Sequence, residues 1–358
     1  MPFGKEYIEE SLAKYQAFAI QQNATLEARL KARPETVHLG QHIADELAHP
    51  GKLLRPALTL ASFGVFSNGN PPNRECLAAA HALEVFHTFV LVHDDVIDGS
   101  TRRRGRPTIQ KRIEESLGIP SENAGHLAIV LGDILFGYAI DLLSSPGVEM
   151  SLVGPLQQHL AAVTEETGLG EALELTFLHR DLPSVEEEEI REVYYLKTTR
   201  YTIEAPLWLG GLAAGVSAEN LAPLKEFARP IGLGFQLEND LHEASLPRSR
   251  FGRLAYDFQT GVKTLFLRRL YEDLEISKRS ELLETLSQCQ GNPQALDHLY
   301  DLIHSTKTLD QMRSEVDQCF DQARKWIPQS PYLEREKQGF ALLAEFISSK
   351  RKHSEAAA

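Results

Sequence analysis

Cysteine is nearly absent: Cys76, Cys289 and Cys319 are the only three in 358 residues, an odd number set far apart. That excludes a disulfide framework and any cysteine-based metal spacing, and it suits a reducing cytoplasm. Positive charge is short as well, with 37 Lys and Arg against 50 Asp and Glu and a net charge of −13. General nucleic-acid binding needs a basic field, so that class is disfavoured, whereas a site that gathers divalent cations is not. No unbroken run of about 18 apolar residues occurs, so no transmembrane helix is expected. The opening residues, MPFGKEYIEE, have the layout of neither a signal peptide nor a transit peptide. Alternating Val/Ile/Thr runs are scarce and a hairpin signal is absent. No solenoid repeat is visible, and the longest Pro/Gly/Asn-rich stretch, Ser67 to Asn73, is short enough to be a loop.

What is present is helical periodicity. Apolar residues recur at three- and four-residue steps over Leu58 to Phe66, Leu77 to Ile97, Ala124 to Leu143, Ser151 to Leu178, Val185 to Ala214, Leu221 to Leu241, Val262 to Leu274 and Gln338 to Ile347. Leu182-Pro183-Ser184 followed by Glu187 reads as a capping box behind a proline. The expectation is an all-α chain: one large helical bundle over residues 1–347, then a polar tail, 348–358, that frays. Several of these helices are apolar on more than one face, which puts them at the centre of a bundle. Polar groups inside them are costly and need partners or a function.

The densest such group is His93-Asp94-Asp95-Val96-Ile97-Asp98, closing an apolar helix. Asp94 and Asp98, four apart, share one helix face and repel unless a cation lies between them. Oxygen-only ligands of this kind suit Mg²⁺, which keeps waters and bridges to phosphate. Taken alone, the motif is more often a solvated helix end. Thr101 to Thr108 then adds Arg102, Arg103, Arg104 and Arg106, and guanidinium groups grip phosphate in a bidentate fork. Alone, those arginines would simply pair with Glu114 and Glu115. A second acidic group lies at Gln236, Asn239, Asp240 and Glu243, spaced to share one helix face, although a solvated polar face would look the same. Upstream, Gly51-Lys52-Leu53-Leu54-Arg55-Pro56 offers two cations before a helix, and His87 lies two turns before Asp94. Lys197, in Leu196-Lys197-Thr198-Thr199, is a cation in an apolar helix that either serves a site or snorkels to the surface.

In order, the motifs are GK..RP, H.....HDD..D, RRG.PT, a helical KT and FQ..(D)D..(D). Each is weak alone, but five in this order and spacing resemble the trans-isoprenyl diphosphate synthases, also called polyprenyl synthetases. The resemblance implies the all-α isoprenoid synthase fold with a central substrate cavity and a homodimer. It implies Mg²⁺-dependent condensation of an allylic diphosphate with isopentenyl diphosphate. Three Mg²⁺ ions are implied, with Asp94 and Asp98 as ligands at the first motif and Asn239, Asp240 and Glu243 at the second. Asp95 completes the first motif among the catalytic residues. Arg103, Lys197 and Gln236 match positions that contact the allylic diphosphate, with Thr198 and Lys263 beside them. Lys52, Arg55, His87 and Arg104 match positions that hold isopentenyl diphosphate. Gly132-Asp133 matches a Gly-Asp pair. Phe89, the fifth residue before Asp94, with Val90 after it, matches the floor that sets chain length, implying C15 to C20 products with C20 favoured.

The chain departs from the family at several points. Asn239 and Glu243 replace Asp, and Leu53 stands where Arg is frequent. Gly252-Arg253 replaces Gly-Lys, and in Gly261-Val262-Lys263-Thr264 the lysine is displaced by one. Two alternatives stay open: a non-elongating prenyltransferase or terpene cyclase on the same fold, and a regulatory subunit of a heteromeric synthase. The survival of Lys52, Arg55, His87 and Arg104 argues against the first, and that of Asp94, Asp95 and Asp98 against the second.

Overall fold

Helix caps and helix breakers set the element boundaries in the computed structural model, which describes residues 4–103, 105–248, 250–251, 258 and 260–356, with side chains to 348. The helices are α1 (Lys5–Lys31), α2 (Val37–Leu47), α3 (Leu54–Phe66), α4 (Arg74–Ile97), α5 (Ile109–Leu117), α6 (Ser121–Leu142), α7 (Met150–Phe177) and α8 (Glu187–Val193). A π-helix follows (Tyr194–Glu204), then α9 (Ala205–Ala213), α10 (Ala218–Leu221) and α11 (Leu224–Ala244). The chain ends with α12 (Leu265–Asp273), α13 (Ile276–Gln288), α14 (Pro293–His304), α15 (Thr308–Trp326) and α16 (Glu334–Ala356). The all-α expectation therefore holds. Side chains fix several starts: Asn73 caps α4 by accepting from the Cys76 N–H (2.9 Å), Thr264 caps α12, and Asn292 caps α14 ahead of Pro293.

Four local expectations change. The helix anticipated from Val185 to Ala214 is three elements, with π-turns between α8 and α9. The capping box is formed by Glu186 and Glu189, not Ser184 and Glu187. Burial of Leu182 and Val185 holds that stretch in a 3₁₀ turn and an extended residue, so the helix starts later. A small hairpin does exist: β1 (Arg102–Arg103) pairs antiparallel with β2 (Arg106–Pro107), turned by Gly105 at φ +78°. The backbone of α16 stays helical to Ala356, past the residue where the tail was expected to fray. In addition, α4 and α6 are long and apolar enough on average to cross a membrane, although neither is an unbroken apolar run. The apolar window of α4 is 67% buried and that of α6 44%.

The chain divides into two compact units, one of residues 1–161 and 205–221, the other of 162–204 and 222–358. In the first, α4 packs on α6 and α3, and α3 packs on α9. Leu58, Leu60, Leu83, Phe86, Leu135 and Leu207 form its fully buried core. At Gly210 of α9 a Cβ would collide with the Thr59 carbonyl of α3, so these two helices touch backbone to backbone. In the second unit, α11 packs on α15 and on the π-helix. Phe227, Trp326 and Phe340 meet in one aromatic cluster there. Arg191 and Arg269 share the carboxylates of Glu187 and Glu315.

His81 of α4 is buried beneath α1, and its two ring nitrogens meet Asn23 Oδ1 at 2.9 Å and the Tyr15 hydroxyl at 3.3 Å. A neutral ring donates to Asn23 and accepts from Tyr15, so both partners are used. Burial lowers its pKa from 6.5 to about 3. Below 6.5 the unfolded chain binds a proton that the folded chain refuses, so stability is full above 6.5 and is lost as the pH falls towards 3. The melting temperature should accordingly drop between these limits more steeply in the wild type than in His81→Gln, which cannot titrate. Equal slopes from thermal unfolding across that range would show that His81 contributes nothing.

Candidate active site

The first acidic motif occupies the last turn of α4, where successive side chains point about 100° apart. That rotation separates the neighbours. Asp95 is buried (5% exposed), whereas Asp94 is half-buried and Asp98, the C-cap, is exposed. The hairpin after the helix folds back onto it. Arg103 Nε donates to Asp95 Oδ1 (2.8 Å), and its Nη2 lies 3.5 Å from Asp94 Oδ2. Gln110 fastens the fold-back by donating to the carbonyls of Asp95 and Ser100, both at 2.7 Å. Burial pushes the Asp95 carboxyl up to about 6, against the pull of Arg103 and with small additions from Asp94 and Glu46. The surface pairing considered for the arginines does not involve Glu114, which binds Lys111 instead. Arg104 lies outside the described residues, as does Gly252-Arg253.

The Gly51–Pro56 segment enters α3 through Leu53, a non-glycine residue at φ +54°. Lys52 is exposed and Arg55 half-buried, while His87 is buried on α4. Gly51, Leu53 and His87 line one cavity of about 610 Å³ with Thr88 and Leu91 of α4 and Glu46 of α2. Phe89 and Val90 are half-buried on α4. The Phe89 ring packs on Phe86 (5.6 Å between centroids), Phe136 (5.2 Å) and His93 (4.6 Å). The Gly132-Asp133 pair meets this cluster: a Cβ at Gly132 would strike the His93 ring, and the His93 Nε2 lies 3.6 Å from Asp133.

In the second unit, the π-helix carries Lys197 and the half-buried Thr198. Lys197 does not snorkel to solvent. Its ammonium lies 2.6 Å from Glu171 and 2.5 Å from Glu174, one turn apart on α7. Neither glutamate stands out in the sequence, where their three-residue spacing is that of an ordinary solvated helix face. Three residues on, Arg200 pairs with Glu166 and Glu204 in the same way. The π-helix fits between α7 and α11 because both present glycine to it. A Cβ at Gly170 would lie 2.6 Å from the Lys197 nitrogen, and one at Gly232 would lie 2.6 Å from the Thr199 Cβ.

The second motif also divides. Asn239 is exposed and Gln236 and Glu243 are half-buried, with Asn239 Nδ2 3.4 Å from Gln236 Oε1. Asp240, expected on the same open face, is turned inside and only 3% exposed. Its Oδ2 accepts from the Tyr194 hydroxyl at 2.5 Å. Lys263 folds back on its own turn, donating to the Gly261 carbonyl (2.7 Å), and burial lowers its pKa. Among the described residues no three His, Cys, Asp or Glu side chains form a ready-made metal cage. Mg²⁺ does not require one, because it takes one or two carboxylates and completes its shell with phosphate and water oxygens. The accessible Asp94 and Asp98 oxygens fit that demand.

The profile of the polyprenyl synthetase family matches residues 37–303. Among curated proteins, the chain is 34% identical over 224 residues to a geranylgeranyl diphosphate synthase of Methanosarcina mazei, spanning 62% of this chain and 64% of the relative. It is 29% identical over 239 residues to a short chain isoprenyl diphosphate synthase of Methanocaldococcus jannaschii, spanning 66% and 67%. The fold is that of a geranylgeranyl pyrophosphate synthase from Corynebacterium glutamicum, with a TM-score of 0.78 at 23% identity, covering 96% of this chain and 98% of that one.

Removing Arg103 leaves the Asp95 carboxyl buried without this cation. Arg103→Ala is expected to cost about 1–3 kcal/mol, with Arg103→Ala/Asp95→Asn recovering part of the loss. Urea unfolding of the two variants and the wild type measures this. Equal losses in the single and double variants would mean that the pair is not what stabilises the turn.

Proposed function

The chain belongs to the polyprenyl synthetase family, and we propose that it condenses an allylic diphosphate with isopentenyl diphosphate to give a short all-trans polyprenyl diphosphate, C20 in preference to C15. The observation that carries this reading is the last turn of α4, where accessible Asp94 and Asp98 stand beside an arginine hairpin anchored through Arg103 to Asp95. Such a turn offers oxygen ligands for cations and a guanidinium for phosphate within one motif.

Bound there, Mg²⁺ supplies charge that neutralises a diphosphate. Asp94 and Asp98 would hold two ions, and Asn239 and Glu243, which share the same four-residue spacing, would hold a third more weakly, since Asn brings no charge. Arg103 and Lys197 stabilise the charge that grows on the departing allylic diphosphate as its C–O bond breaks. Glu171 and Glu174 orient Lys197, and Gln236 offers its amide to the same group. Lys52, Arg55, His87 and Arg104 hold isopentenyl diphosphate so that its double bond attacks the allylic cation at C1. One proton then leaves the new chain for the released diphosphate, so atoms and charge balance. Phe89, braced by Phe86 and Phe136, limits the length of the growing chain. No side-chain nucleophile takes part. In this reading the enzyme works as a homodimer in the cytoplasm. The buried, free thiols of Cys76, Cys289 and Cys319 support that setting.

Incubation with Mg²⁺, isopentenyl diphosphate and dimethylallyl, geranyl or farnesyl diphosphate, followed by separation by chain length, tests the proposal. A C20 product is expected, abolished by chelation of Mg²⁺ and lengthened in Phe89→Ala. Release of diphosphate from the allylic substrate without elongation would overturn the reading in favour of a cyclase or a transferase to another acceptor.

A further inference from the structure

The Tyr194 hydroxyl lies at a junction that the proposed chemistry does not use. It donates to Asp240 Oδ2 of α11 (2.5 Å) and accepts from the Leu265 N–H at the start of α12 (3.0 Å). Tyr194 is 4% exposed and Asp240 3%, so neither bond is open to solvent competition. The Leu265 N–H is one of the first-turn donors that an α-helix leaves without an internal partner, and here the phenol supplies one.

Three segments meet at this oxygen, and each carries a substrate-binding candidate. Tyr194 begins the π-helix that carries Lys197 three residues later. Asp240 lies one turn beyond Gln236 on α11. Leu265 follows Lys263 by two residues. We infer that Asp240 is a positioning residue rather than a metal ligand: through the Tyr194 hydroxyl it ties the π-helix and α11 to the entry of α12, and so fixes Lys197 and Gln236 for the allylic diphosphate. This rests on the function proposed above. A ligand to Mg²⁺ at a diphosphate must offer an oxygen to the open pocket. The accessible members of the motif are Asn239, one residue before, and Glu243, three residues after, while Asp240 points into the protein. An isolated carboxyl at 3% exposure would be costly, and the short bond to Tyr194 offsets that cost.

Three variants separate positioning from ligation. Tyr194→Phe removes the hydroxyl, Asp240→Ala removes the acceptor, and Asp240→Asn keeps an acceptor oxygen without the charge. In steady-state assays, Tyr194→Phe and Asp240→Ala are expected to raise KM for the allylic diphosphate about tenfold, the size expected when a buried hydrogen bond is lost. KM for isopentenyl diphosphate and the Mg²⁺ concentration for half-maximal rate should stay near wild type, and Asp240→Asn should restore most of the allylic KM. In metal-free buffer, Tyr194→Phe/Asp240→Ala should lose less than the sum of the two single losses in melting temperature, because both changes break the same Tyr194–Asp240 bond. The inference is overturned if Asp240→Asn raises the Mg²⁺ requirement while Tyr194→Phe does not, or if the melting losses add. Elongation by the wild type with an unchanged allylic KM in Tyr194→Phe also overturns it. Absence of elongation by the wild type itself overturns the underlying function instead.

Discussion

The π-helix from Tyr194 to Glu204 has room between α7 and α11 only because Gly170 and Gly232 have no side chains. Its wider turns carry an unusual load of polar contacts. Tyr194 reaches Asp240, Tyr195 reaches Glu204, Lys197 reaches Glu171 and Glu174, and Arg200 reaches Glu166 and Glu204. π-turns are rare and concentrate at functional sites, since they exchange regular hydrogen bonding for a changed side-chain direction. Here Pro206 stands just beyond the wide turns, with no N–H to carry a ladder back from α9. The direction of Lys197 depends on all of this.

The two acidic motifs solve one geometric problem in the same way. Adjacent residues on a helix cannot both face a pocket, so each motif has an inner and an outer acid position. In the first, Asp95 is buried on Arg103 while Asp94 and Asp98 stay accessible. In the second, Asp240 is buried on Tyr194 while Asn239 and Glu243 stay accessible. The accessible pairs share the four-residue spacing, and the inner acids each hold a neighbouring element in place. The altered residues of the second motif, Asn239 and Glu243, are both outer ones. The fastening is therefore intact, and the departures fall on the accessible positions alone.

The helical class and the order of motifs were legible because apolar spacing and charge clusters are local properties of the chain. The family likeness added roles that spacing alone leaves open. What stayed hidden depended on tertiary contact. Asp240 shares its helix face with the buried Leu237, Leu241 and Ala244, but the tyrosine from another segment that meets it there leaves no trace in local spacing. Glu171 and Glu174 look like a solvated helix face until Lys197 is placed opposite them. The π-turns break no sequence rule, since Tyr194 to Glu204 has helical periodicity, and the widening comes from packing against two glycines. The Arg102–Pro107 hairpin is too short to show alternation.

The central claim is that glycine-lined walls let the wide turns present Lys197, and Gly170→Ala tests it most directly. Titrating a non-ionising allylic thiolodiphosphate with Mg²⁺ into the wild type and into Gly170→Ala, by calorimetry, gives the answer. The account predicts binding by the wild type and a loss of about tenfold or more in a variant that still unfolds cooperatively, because the new methyl group displaces the backbone at Lys197. Undiminished affinity in Gly170→Ala would contradict it.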